Sequence, residues 1–106
     1  MVREKTIKSN CYKVLEGEGY YCWAPARGGY MNQSQDVFGI FDVLAIKGTH
    51  VRWIQFTSKG NMSARRKKIL SFFKKHSCFI ESELWGYDDN KREFKVEKFS
   101  TGSFTN

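Results

Sequence analysis

Proline is almost absent from this chain of 106 residues, Pro25 standing alone, and no acidic residue occurs between Lys59 and Ile80. A single proline excludes polyproline and collagen-like builds. Cysteine is sparse: Cys11, Cys22 and Cys78 are odd in number and none forms a Cys-x-x-Cys pair, which argues against a disulfide scaffold. With only His50 and His76 beside them there is no zinc-ligand cluster. No N-terminal apolar region resembles a signal peptide, and no apolar run is long enough to span a bilayer. The expectation is a soluble cytoplasmic protein without membrane partners. Leucine is also scarce, so Phe, Tyr, Ile and Val must supply the core, and these residues favour sheet.

What is present is a globular composition, 41% apolar with 16% aromatic residues. The length suits one domain with a modest core. The tail 101–106 is small and polar and is expected to fray. The net charge of +7 is concentrated: Lys59, Arg65, Arg66, Lys67, Lys68, Lys74 and Lys75 equal it in number, and elsewhere the signs cancel. Such a patch suits a polyanion, although a solvated helix face has the same composition.

Ile7, Cys11, Val14 and Leu15 fall at helical spacing within a first helix from about Glu4 to Glu16, closed by Gly17 and Gly19. Tyr20 to Ala24 reads as a short aromatic strand stopped by Pro25, followed by a polar loop from Arg27 to Gln35. Two apolar runs, Phe38 to Ile46 and Val51 to Ser58, flank Lys47-Gly48-Thr49-His50 and predict a hairpin. Ser63 is a suitable cap for a helix from Ala64 to Lys75. Cys78 to Tyr87 and Arg92 to Phe99 alternate as two strands around Asp88-Asp89-Asn90-Lys91.

Asp42 is the conspicuous residue, an acid in an apolar strand, which is costly unless a cation or hydrogen-bond donors compensate it. In a paired hairpin it can sit beside Gln55, which shares a strand face with Thr57. That arrangement reads as a metal or substrate site, or more plainly as a strand-end carboxylate bonded to neighbouring backbone. Asp36 is a second carboxylate if its segment bends back, and otherwise a turn residue. Tyr20, Tyr21, Trp23, Trp53 and Trp85 suit base stacking but at strand spacing more often pack between strands. Arg27, before two glycines, is placed to contact phosphate or is an ordinary surface arginine.

The segment Phe41-Asp42-Val43-Leu44-Ala45-Ile46 followed by Ile54-Gln55-Phe56-Thr57 resembles the PD-(D/E)XK nuclease superfamily, most of all small archaeal-type Holliday junction resolvases. The resemblance runs from about Ile7 to Lys75. It implies an α/β restriction-endonuclease-like core in the order α-β-β-β-α-β-β, a mixed central sheet flanked by helices, forming a single nuclease-like domain over 1–106. It further implies a Mg²⁺- or Mn²⁺-dependent endonuclease acting on duplex or branched DNA. On that pattern Asp42 and Gln55 hold metal, joined by Asp36 if its segment bends back, and Asp42, Gln55, Thr57 and Lys59 form the catalytic set. Arg27, Lys59, Arg65, Arg66, Lys67 and Lys68 contact DNA. The departures are Gln55 in place of the glutamate, Thr57 in place of the lysine, Phe41 in place of a proline, and no glutamate near Ser9 or Asn10. Lys59, Arg66 and Lys67 are the residues able to replace the missing cation. The alternative is a nuclease-fold module that binds nucleic acid without cutting. Folds of this type are often homodimers, for which Trp85 and the last hairpin offer an interface.

Overall fold

The computed structural model describes residues 4–24, 38 and 40–100. Helix α1 (Glu4–Gly17) carries Ile7, Cys11 and Leu15 as one buried stripe. It closes where Gly19 takes a left-handed φ of 92°. There the Tyr20 N–H donates to Leu15 O and the Gly19 N–H to Glu16 O, both at 3.0 Å, which is a Schellman closure. The strands are β1 (Tyr21–Trp23), β2 (Val43–Lys47), β3 (His50–Ser58), β4 (Ser82–Asp88) and β5 (Glu93–Phe99), with α2 (Met62–Lys75) between β3 and β4.

The five strands form one mixed sheet in the order β1-β2-β3-β4-β5. Neighbours run antiparallel except β3 and β4, which are parallel. A parallel pair needs a crossover, and α2 supplies it. The result is an α/β protein with two helices on opposite faces of the sheet. On one face Val43, Ala45, Ile54, Phe56 and Trp85 pack against the α1 stripe. On the other, Ile40, Phe41, Leu84 and Phe99 pack against Met62, Ile69 and Phe73 of α2. Gly86, paired with Thr57 in the register, lets α2 approach: a Cβ there would overlap the Met62 sulfur and stand 3.2 Å from the Lys59 Cα. No described helix is long and apolar enough to cross a membrane.

Several boundaries differ from the sequence expectation. Helix α2 begins at Met62 and not after Ser63, because a 3-10 turn over Lys59–Asn61 feeds it and no side chain caps it. Cys78 is exposed and precedes β4, because its N–H donates back to Phe73 O at 3.0 Å in the turn that ends α2. Ser77 adopts φ 49° in that turn. Trp85, expected on an interface, is only 2% exposed.

The parallel junction is fastened by a part-buried ion pair. Arg52 of β3 donates from Nη2 to Glu83 Oε1 at 2.6 Å and from Nε to Oε2 at 2.8 Å, a bidentate fork. The Trp85 indole N–H also donates to Glu83 Oε1, at 2.8 Å. The guanidinium lies over the rings of Tyr20 and Trp85, 4.9 and 5.5 Å from their centroids. Burial alone would raise the Glu83 carboxyl, but the bonds from Arg52 and Trp85 outweigh it and hold the group below its ordinary 4.5. A depressed carboxyl contributes stability that is present above pH 4.5 and lost as pH falls through the folded value. Asp88, lowered by the Lys91 backbone N–H, desolvated slightly, and paired to Lys59, acts in the same direction. Glu83→Gln is expected to cost roughly 2–4 kcal/mol near neutrality, since Arg52 loses its bidentate counter-charge and keeps only the longer, exposed contact to Glu18 at 3.5 Å. It should also flatten the fall in stability below pH 4.5, read from urea unfolding at a series of pH values. An unchanged acid slope would place the acid sensitivity elsewhere.

Candidate functional site

Asp42 stands one residue before β2, where the strand slips. Its N–H donates to Ile54 O at 2.9 Å, although Ile54 is the register partner of Val43. Two residues set against one is the pattern of a β-bulge. The cores show the same slip: strict alternation would keep Phe41 and Val43 on one face, yet Phe41 packs on the α2 side and Val43 on the α1 side. From this position the Asp42 carboxylate accepts the Phe56 N–H at its Oδ2, at 2.9 Å. Asp42 therefore brackets Gln55, bonding the residues on either side of it. The carboxylate serves as a strand-end acceptor, and it remains half-buried. Its charge is felt across the α1 face, where the Cys11 thiol is pushed up by burial, by Cys22 and by Asp42.

Gln55 is the unusual member. It is 1% exposed, opposite Leu84 on β4, and neither its Oε1 nor its Nε2 has a hydrogen-bond partner. No hydrogen bond joins it to Asp42. A buried carboxamide with both ends unsatisfied costs about 1–3 kcal/mol or more, so its presence here is a burden on the fold. Thr57, two residues on, is 6% exposed and faces Gly86 in the register. The hairpin thus sets Asp42 on the backbone to either side of Gln55, while Gln55 and Thr57 themselves are enclosed on the α2 face of β3.

Lys59 does not join them. β3 ends at Ser58, and Lys59 opens the 3-10 turn with its Nζ 3.2 Å from Asp88 Oδ2, exposed to solvent. The extended conformation that would carry it along the Gln55 face stops one residue short. Arg66 is held by Glu97 at 2.8 Å. Among the described residues Arg65, Lys67, Lys68, Lys74 and Lys75 form no ion pair. Lys67, Lys68, Lys74 and Lys75 are exposed and fall at helical spacing along the outer side of α2. Arg27 and Asp36 lie outside the described residues. Among those described, no group of three or more His, Cys, Asp or Glu is assembled that could hold a metal ion.

The opposite face carries a feature that the sequence did not announce. An open groove of about 930 Å³ lies between α1 and the β4–β5 hairpin, with Lys13, Val14, Tyr87, Phe94, Val96 and Lys98 among its walls. It exists because α1 packs over β1 to β3 and reaches β4 only at Trp85, leaving Tyr87 and the α1-facing side of β5 at the rim. Arg52 lines it, and its partner Glu83 is brought to it only once β3 and β4 are known to be parallel, which no local pattern announces.

No protein-family model matches the chain, and no curated protein matches it significantly in sequence.

The unsatisfied amide yields a direct test. Gln55→Leu keeps the volume and removes both orphaned atoms, so the variant is expected to be more stable by about 1–3 kcal/mol in metal-free buffer. Urea unfolding with an unchanged slope would register it as a higher midpoint. A loss of stability instead would mean that the carboxamide is satisfied in solution.

Proposed function

We propose that the chain is a metal-dependent DNA phosphodiesterase of the PD-(D/E)XK type, the function to which its hairpin motif and basic helix point. The observation that carries the reading is Gln55, a buried carboxamide kept without partners between the two residues whose backbone Asp42 bonds. Magnesium takes oxygen ligands and is commonly held by one or two carboxylates, with water and substrate phosphate completing its sphere. Asp42 and the Gln55 Oε1 fit that donor set in number and kind. When bound there, a divalent ion would polarise the phosphoryl oxygen and acidify its water. The chain's own parts do the rest. Lys67, Lys68 and Arg65 attract the phosphate backbone, and the Phe56 N–H fixes the Asp42 carboxylate in orientation. Helix α2 and the sheet enclose Gln55 and Thr57, so on this reading metal and phosphate reach the Gln55 Oε1 only with a displacement of α2.

A second reading, that of a nuclease-fold module binding nucleic acid without cutting, is favoured by the placement of Lys59. Tied to Asp88, it leaves Thr57 without a neighbouring ammonium group to stabilise charge on a phosphate.

Labelled duplex, single-stranded and four-way junction DNA, incubated with Mg²⁺, Mn²⁺ or EDTA, distinguishes the two. The first reading expects cleavage that needs metal and falls at least about 100-fold in Asp42→Ala. Gln55→Glu, which restores a formal charge, should then lower the metal concentration required roughly tenfold. Binding without cleavage under every metal would overturn the first reading in favour of the second.

Both readings expect salt-dependent DNA binding through α2. Removing Lys67 and Lys68 together should reduce the slope of log K against log salt by about two, at about 0.9 for each phosphate no longer neutralised. A slope unchanged by that double substitution would remove α2 from the interface.

A further inference from the structure

Strand β5 forms one edge of the sheet, and among the described residues only β4 pairs with it. An edge strand of seven residues presents unpaired backbone donors and acceptors to any strand of suitable pattern. Its side chains alternate as Glu93, Lys95, Glu97 and Phe99 on the α2 face, and Phe94, Val96 and Lys98 on the α1 face. Val96 is 41% exposed, an apolar residue at the rim of the open groove.

We propose that this edge pairs with the same edge of a second copy of the chain, antiparallel about a two-fold axis at Val96, making one continuous ten-stranded sheet. The charge pattern selects both the occupant and the register. Residues directly opposite across an antiparallel pair share a face, so the register of a symmetric pair can move only in steps that preserve parity. Centred on Val96, the whole strand is used: Lys95 of each copy faces Glu97 of the other, Phe94 faces Lys98, and Glu93 faces Phe99. One step one way sets Lys95 against Lys95 and Glu93 against Glu97. One step the other way sets Glu97 against Glu97. Like charges directly opposite are destabilising, and opposite charges contribute favourably. Lysine on an edge ordinarily discourages pairing; here the glutamate two residues on makes the strand complementary to itself.

On the groove side the pairing covers what a lone chain exposes. Two Val96 side chains meet at the axis, and the Lys98 stem of each copy lies over the Phe94 ring of the other. Glu97 also accepts from Arg66 within its own chain, and a carboxylate has acceptor capacity for both cations. The proposal depends on neither metal nor nucleic acid.

Sedimentation velocity of the full chain over a concentration series, in nucleic-acid-free buffer, is the test. The expected species has the mass of two chains. Lys95→Glu and Glu97→Lys, each alone, should weaken it at least about tenfold, since each places like charges opposite one another. An equimolar mixture of the two variants should recover the dimer, because Glu at 95 of one chain then meets Lys at 97 of the other. Each variant has the same change within its own chain whether alone or mixed, so recovery cannot come from the Arg66 contact or from folding. Val96→Glu, at an exposed position, should also give single chains with an unchanged circular dichroism spectrum. One-chain mass at every concentration would overturn the proposal. So would a dimer indifferent to these substitutions, or a mixture that behaves as its components do.

Discussion

The bidentate contact of Arg52 with Glu83 is the constraint on which the sheet depends. Every other strand junction is antiparallel, and the β2–β3 and β4–β5 turns hold their own partners close in sequence. The β3–β4 junction has no such help, because its strands are separated by a full crossover helix. A charge on each strand, part-buried together and triangulated by the Trp85 indole, holds the two hairpins in one register. A mispaired register would leave both charges in apolar surroundings, which is far costlier than a misplaced methyl group. The stacking of Tyr20 on Arg52 extends the same contact to the end of α1.

Around that junction the polar groups divide by face. On the α1 side they are satisfied, and the pair is specific. On the α2 side the Gln55 carboxamide is enclosed and unpaired, under a helix whose solvent side is lined with lysine. Natural cores seldom keep such a group without a use for it. Here it lies one residue from each backbone group that Asp42 bonds, under a cationic helix.

Much of the architecture was legible in the chain. Gly17 and Gly19 marked the end of α1, and Gly19 takes the left-handed conformation that the turn requires. The Gly48 turn and the flanking apolar runs foretold the hairpin, and the element order followed from the alternation of apolar patterns. The slip at Asp42 was not legible, because a bulge adds one residue without altering composition or period over so short a strand. Met62 as the start of α2 was hidden because the helix is entered through a 3-10 turn and uses no capping side chain. Lys59 was misplaced for the same reason: the turn begins where continued strand was expected. That Asp42 meets the backbone on either side of Gln55 follows from the hairpin pairing, whereas the enclosure of Gln55 depends on Gly86 and Met62, which are distant in sequence.

The slip at Asp42 also changes how the two sides of the sheet relate. In a regular strand residues two apart share a layer. Here Phe41 enters one core and Val43 the other, with a single hydrogen-bonded residue between them. The chain crosses the plane of the sheet at that point and stitches the layers together. Both helices therefore pack on this one short segment, Phe41 on the α2 side and Val43 on the α1 side, two residues apart.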